Sequence, residues 1–188
     1  MKNIKLLAIV LAFSAIVGFN ACEKYERGGT AVESMCGEWV AYVVDFDMDF
    51  TLKTSNVANN EPNKIIVTDR NVAGTGTTFW GFAVKANCDV SSKTFSCTNV
   101  TNDFWTEKTV AGVTGVYTPY DIKISIRNGK ITEKAVELPS GVKADKIELE
   151  IWFEDIGEEG FPADHFCKIV GYRYSGFSED DDFVYTGE

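Results

Sequence analysis

The stretch Lys146-Ile147-Glu148-Leu149-Glu150-Ile151-Trp152-Phe153-Glu154 decides the fold, because apolar and polar side chains alternate along it. Successive side chains of a β-strand point to opposite faces, so this alternation predicts a strand with one buried face and one solvated face. The preceding segment, 131–138, is the expected hairpin partner, with the turn at Pro139-Ser140-Gly141. An antiparallel pair of this kind indicates a sheet with one face in water.

The same period of two recurs along the chain, whereas long helical periodicity is missing. The segment 120–127 alternates cleanly and then reaches Asn128-Gly129, a dipeptide typical of tight hairpin turns because both residues tolerate positive φ. Further strands are expected at 38–45, 50–55, 64–68, 78–88, 94–100 and 166–174. About eight to ten short strands predict an all-β fold, either an antiparallel barrel or a sandwich.

The amino-terminal region has the pattern of an export signal. Lys2 and Lys5 precede an apolar run over residues 6–19, which is too short to span a membrane as a helix. Ala21-Cys22 then resembles the lipobox of bacterial lipoproteins, although a plain signal peptide with an incidental cysteine is the alternative. We therefore expect a signal peptide over 1–21, a lipidated Cys22 with a flexible linker over 22–30, and a β-domain over 31–188. The expected location is the cell envelope, anchored by lipid to the outer membrane, with the face of the membrane left open.

The charge of the chain argues against one class of partner. The net charge is −10, and removal of Lys2 and Lys5 with the signal would make it −12. Such a surface repels phosphate backbones, and the sequence has no basic stripe. Nucleic acid is therefore not an expected partner.

The cysteines suggest one disulfide. With Cys22 assigned to lipid, four remain: Cys36, Cys88, Cys97 and Cys167. A two-residue turn at Ser92-Lys93 would place Cys88 directly opposite Cys97 at a non-hydrogen-bonded site, where side chains are closest. An exported protein meets oxidising conditions, so this register predicts a Cys88–Cys97 bond. Two free buried thiols are the alternative, and the pairing of Cys36 and Cys167 stays open.

Two motifs near the ends of the domain carry a family resemblance. Gly37-Glu38-Trp39 resembles the start of a lipocalin-type barrel, in which the tryptophan closes the floor and an arginine from the last strand packs on it. Arg173, in Gly171-Tyr172-Arg173-Tyr174-Ser175-Gly176-Phe177, is suitably placed for that cation–π contact. From about Gly28 to Asp182 the sequence resembles the lipocalin-like "lipid-binding putative hydrolase" lipoproteins of Bacteroidetes.

This resemblance implies a calycin-type β-barrel that holds a lipid or another hydrophobic small molecule, with no cofactor. An eight-stranded barrel has an interior wide enough for side chains or for one small ligand. The alternative is that the inward side chains simply fill the core. The candidates to line the interior are Trp39, Tyr42, Phe82, Phe95, Ile124, Ile151 and Phe153.

The family label also raises hydrolysis of lipid-like or ester substrates as an alternative function. His165 is the single histidine, and Asp164 beside it would point to the opposite face of a strand. No Gly-x-Ser-x-Gly motif is present, and one histidine does not supply the usual zinc ligand sets. The sequence thus predicts neither a catalytic residue nor a metal site. A third possibility is a surface domain that binds glycans or proteins through exposed aromatic residues such as Trp105.

Overall fold

The structure is a computed structural model, and it describes residues 29–69, 78–110 and 113–187. Within these ranges the strands are β1 (Gly37–Val43), β2 (Met48–Asn56), β3 (Lys64–Thr68), β4 (Ala83–Asp89), β5 (Thr94–Thr101), β6 (Trp105–Val110), β7 (Val113–Pro119), β8 (Lys123–Glu137), β9 (Lys143–Phe153) and β10 (Cys167–Arg173). Short 3-10 helices cover Glu33–Met35, Val44–Phe46, Ile156–Glu159 and Ser178–Asp180. No helix in the described ranges is long and apolar enough to cross a membrane. The predicted signal peptide, Cys22 and most of the predicted linker lie outside the described residues.

Eight of the strands close into one antiparallel barrel, in the order β1-β10-β9-β8-β5-β4-β3-β2. The seam joins the first and last strands, with Trp39 paired to Arg173 and Val43 paired to Ile169. β6 and β7 form a separate two-stranded hairpin that connects β5 to β8. Closure satisfies the backbone of both terminal strands, which would otherwise be exposed edges. The predicted all-β antiparallel barrel is confirmed.

The predicted turn at Asn128-Gly129 is wrong, because β8 continues through it. The strand runs from Lys123 to Glu137 and pairs with β5 on one side and β9 on the other. Asn128 does adopt a positive φ of 55°, but the ladder shifts register there and forms a bulge. A Cβ on Gly129 would lie 2.4 Å from the carbonyl oxygen of Phe95. The dipeptide therefore bends a long strand and lets β5 approach closely.

Buried apolar side chains fill the barrel. Along β1 the buried residues alternate with partly exposed ones, so Trp39, Ala41 and Val43 point inward. The largest fully buried side chains include Trp39, Phe82, Phe153, Met35, Leu52, Ile65, Ile124, Ile126, Ile147, Leu149 and Ile151. All of these belong to one contiguous cluster. The interior is thus a packed core.

A second, smaller apolar cluster lies outside the barrel and holds the carboxy-terminal segment. Tyr172 points outward from β10, and its hydroxyl donates to the carbonyl oxygens of Asp180 and Phe183 at 3.1 and 3.0 Å. The carboxylate of Asp180 in turn accepts hydrogen bonds from the hydroxyls of Ser140 and Ser175. These contacts fasten the end of the chain to the outer face of the seam.

Candidate functional site

The two ends of the barrel differ in chemistry, and they are named here by their location. The floor end is where β1 begins at Gly37 and β10 ends at Arg173. The mouth end is opposite, where β1 ends at Val43 and β10 begins at Cys167.

Trp39 closes the floor end and is fully buried. Its indole N–H donates to the hydroxyl oxygen of Thr54 at 2.9 Å, and the Arg173 guanidinium carbon lies 4.5 Å from the ring centroid. Arg173 also donates to the Cys36 carbonyl at 2.5 Å and to the Asp145 carboxylate at 3.1 Å. This dense set of contacts fills the space around Trp39 at the floor.

The glycine of the Gly-x-Trp motif has a steric role at the floor. A Cβ on Gly37 would lie 2.2 Å from Nη1 of Arg173. Because real Cβ contacts are essentially never this short, a side chain at position 37 would shift the guanidinium from its place over Trp39.

The mouth end carries a group of contacting rings, called here the aromatic mouth: Phe46, Phe79, Trp80, Phe153 and Phe161. Trp80 stacks on Phe153 with ring centroids 4.4 Å apart and planes inclined by 6°. Phe46 meets Phe79 and Phe161 at centroid distances of 5.3 and 5.1 Å. The rings come from four separate parts of the chain, so only closure of the barrel brings them together.

A buried aspartate fixes the segment that supplies Trp80. The carboxylate of Asp69 accepts backbone N–H bonds from Trp80 and Gly81 at 2.8 Å and from Phe82 at 2.6 Å. Asp69 is fully buried, and this burial raises the pKa of its carboxyl. Asn102 also holds this segment, since its side-chain amide donates to the Gly81 carbonyl oxygen at 3.0 Å.

A cavity of about 340 Å³ opens at the aromatic mouth. Its walls are both apolar and acidic: Phe46, Met48, Phe79, Trp80, Tyr120, Asp155, Glu158 and Glu159. The Asp155 carboxylate accepts from the Trp80 indole at 3.1 Å and from the Tyr120 hydroxyl. Burial and the adjacent Asp155 raise the pKa of Tyr120, so the phenol stays protonated and can hold this bond. The volume falls within the range of small-molecule sites.

A larger groove of about 630 Å³ lies at the floor end, beside the bulge of β8. Phe95 and Cys88 are the main apolar groups in its walls, and most of the remaining side chains are polar: Asn87, Asp89, Thr94, Ser96, Asn128, Lys130 and Glu148. Among the described residues of its walls Phe95 is the one aromatic side chain, whereas four aromatic side chains line the cavity at the mouth.

The structure separates the residues that were predicted to line a ligand site. Six of them lie in the packed core: Trp39, Phe82, Phe95, Ile124, Ile151 and Phe153. Tyr42 lies instead on the outer side of β1, where its hydroxyl donates to Asp47 at 2.5 Å. Residues 39 and 42 are an odd number apart, so the two cannot share a face of one strand. Phe153 is the member that also contributes to the aromatic mouth.

The predicted Cys88–Cys97 disulfide is not formed, because the hairpin register differs from the predicted one. Four residues, 90–93, separate the paired positions Asp89 and Thr94, so Cys88 faces Phe95. Cys36, Cys88, Cys97 and Cys167 are all free thiols. A two-residue turn would have paired Cys88 with Cys97, which lies two residues beyond its observed partner Phe95.

His165 has a carboxylate partner that sequence reasoning missed. Its Nε2 lies 3.0 Å from Oδ1 of Asp45, which is 120 residues away in the chain, and the buried Cys167 is adjacent. Burial and the Asp45 charge raise the pKa of Cys167 to about 12. A thiol with such a high pKa is a poor nucleophile, so this trio does not form an activated cysteine–histidine pair.

Trp105 belongs neither to the aromatic mouth nor to the wall of its cavity. It begins β6 in the separate hairpin and is 49% exposed. Its backbone pairs with Pro119, the residue before the cavity-lining Tyr120, so it provides an exposed ring on the side of that hairpin.

A comparison with known protein families assigns the chain to one of them. A search of the curated proteins gives no match. A family model described as "Lipid-binding putative hydrolase" matches residues 24–178, which include every strand of the barrel. The chain therefore belongs to the family of lipid-binding putative hydrolases.

Proposed function

We propose that the protein binds a lipid or another apolar small molecule at the aromatic mouth and not inside the barrel. The observation that carries this proposal is the cavity of about 340 Å³ lined by Phe46, Phe79 and Trp80. Membership of a lipid-binding family supports the ligand class. The packed interior argues for a site at the end of the barrel, because an interior ligand would have to displace buried side chains.

The charge of the side chains in the wall of this cavity narrows the class of ligand. Asp155, Glu158 and Glu159 stand beside the rings, and the described part of the cavity wall contributes no lysine or arginine. A carboxylate headgroup placed there would meet like charges at short range. We therefore infer that a neutral headgroup on an apolar chain suits the site better than a fatty acid anion.

Competition against a neutral hydrophobic fluorophore, N-phenyl-1-naphthylamine, tests this site. A monoacylglycerol should displace the fluorophore more strongly than the fatty acid of the same chain length. Trp80→Ala should weaken monoacylglycerol binding about 5- to 30-fold, because it removes about 1–2 kcal/mol of apolar contact.

The matched control is Trp105→Ala, which removes an exposed indole that does not line the cavity. It should leave the affinity unchanged. Equal losses in the two variants, or no binding by the native chain, would overturn the proposed site.

We also propose that lipid on Cys22 anchors the protein to the outer membrane. The basic start of the chain, the apolar run and the cysteine at the expected cleavage site support this anchor. Cys22→Ser should move the protein from the membrane pellet to the soluble fraction after cell lysis. Cys36→Ser is the control and should stay in the pellet; a pelleted Cys22→Ser protein would contradict the anchor.

A further inference from the structure

Three side chains of different chemistry meet at the mouth end of the seam. Asp45 lies in the 3-10 helix that follows β1, His165 precedes β10, and Cys167 is the first residue of β10. One donor atom from each residue lies within 4.8 Å of the donor atoms of the other two. The pairing of β1 with β10 creates this cluster, since Val43 faces Ile169 just beyond it.

Existing contacts already orient two of the three groups. Asp45 accepts the backbone N–H of Lys168 at 2.8 Å through Oδ2, which leaves Oδ1 facing His165 at 3.0 Å. The Phe161 ring stacks on the imidazole at a centroid distance of 4.5 Å and an angle of 15°. Orientation of ligands before an ion arrives lowers the entropic cost of binding it.

We propose that Asp45, His165 and Cys167 bind one Zn²⁺ ion, a site that goes beyond the proposed binding of an apolar molecule. Carboxylate, imidazole and thiolate are the three groups that zinc takes as ligands in proteins. In a tetrahedral site with metal–ligand distances of about 2.0–2.3 Å, donor atoms lie roughly 3.3–3.8 Å apart. In this structure the three donor atoms lie within 4.8 Å of one another, so small side-chain movements would bring them to the distances of a zinc site.

The charges of the site also suit a divalent cation. Zinc binding forms a zinc–sulfur bond and releases the thiol proton of Cys167 to solvent. The resulting thiolate and the Asp45 carboxylate together balance the two positive charges of the ion, while His165 binds as the neutral base. A soft thiol and an imidazole disfavour Ca²⁺ and Mg²⁺, which prefer oxygen ligands.

Three protein ligands leave a fourth position for water, and the surroundings allow it. The side chains of His165 and Asp45 are 26% and 21% exposed, whereas Cys167 is fully buried. The ion would thus sit at the boundary between the core and solvent. Phe161 links this site to the aromatic mouth, since it contacts both His165 and Phe46.

Metal titration of the full chain, reduced and freed of metal with a chelator, tests the proposal. Calorimetry with ZnCl₂ should give one ion per chain. Co²⁺ should give the visible bands of a tetrahedral ion together with a thiolate-to-cobalt charge-transfer band. Cys167→Ser, His165→Gln and Asp45→Asn should each weaken Zn²⁺ binding by at least about tenfold, since even the loss of a hydrogen bond that supports a ligand costs that much.

Cys97→Ser is the matched control, because it removes another buried thiol that lies outside the cluster. It should leave the stoichiometry and the cobalt spectrum unchanged. Loss of the charge-transfer band in Cys97→Ser, or its persistence in Cys167→Ser, would overturn the site. If Cys167→Ser does not fold, the cobalt spectrum of the native chain and the variants of the two partly exposed ligands decide the question. A native chain without the thiolate band, or affinities unchanged in both variants, refutes it.

Discussion

Trp39→Ala should lower the free energy of unfolding by about 3–5 kcal/mol, the range for removal of a large aromatic side chain from a core. Trp39 is fully buried and closes the floor of the barrel. The substitution also removes the indole N–H that donates to the Thr54 hydroxyl, and it removes the ring beneath the Arg173 guanidinium. Urea denaturation followed by far-ultraviolet circular dichroism measures the change.

Two variants separate these contributions. Trp39→Phe keeps an aromatic ring but loses the N–H donor and part of the volume, so its cost should be intermediate. Trp105→Ala removes an exposed indole and should change stability by no more than about 0.5 kcal/mol. A loss in Trp39→Ala as small as that in Trp105→Ala would show that the floor contributes little to the fold.

Asp69→Ala should also be strongly destabilising, by about 3–5 kcal/mol. It leaves the backbone N–H groups of Trp80, Gly81 and Phe82 without their acceptor, and each unsatisfied buried group costs about 1–3 kcal/mol. Burial raises the pKa of Asp69, whereas the backbone N–H donors favour its ionised form, so the role of its oxygens as acceptors is distinct from the effect of its charge. The same denaturation assay measures the loss.

Asp69→Asn tests that distinction. Asparagine keeps one carbonyl acceptor but presents an NH₂ group to the remaining donors, so it should be less destabilising than alanine. Asp121→Asn, at an exposed position, is the control and should be neutral. Equal losses in Asp69→Asn and Asp69→Ala would show that the one remaining acceptor does not hold the loop.

Patterns within single strands predicted the barrel well. β9 and its hairpin with β8 follow directly from the alternation around Leu149 and from the turn at Pro139-Ser140-Gly141. The position of Arg173 opposite Trp39 follows from the two end motifs, because closure pairs the first strand with the last. Local sequence is sufficient here, since burial of one face specifies both the strand and its register.

Features that depend on turn length or on distant contacts were not predicted. The connection after Asp89 has four residues where two were predicted, so the observed register of β4 and β5 differs from the predicted one by two positions. At Asn128-Gly129 the structure has a bulge where a turn was predicted. Both sites contain residues with positive φ, which a turn and a bulge require alike. Sequence alone does not distinguish these two uses of the same residues.

The candidate sites at the mouth were missed for a related reason. Asp45 and His165 are 120 residues apart, and no local spacing connects them. Likewise, the Phe79-Trp80 pair reaches the mouth because the buried Asp69 folds residues 80–82 over it. In the sequence Asp69 directly follows a strand and precedes an aromatic cluster, and this order alone does not indicate a contact between the two.

The direction in which the chain runs along the barrel affects how a ligand would reach the aromatic mouth. The described chain enters at the floor end, and the aromatic mouth lies at the far end of strands such as β1, about 20 Å away at 3.3 Å per residue. The proposed tether on Cys22 would therefore attach at the end of the barrel opposite the ligand site. An extended linker over residues 22–30 would span about 30 Å. Because this reach exceeds the floor-to-mouth separation, the tether would leave the mouth free to face the same bilayer or to turn away from it.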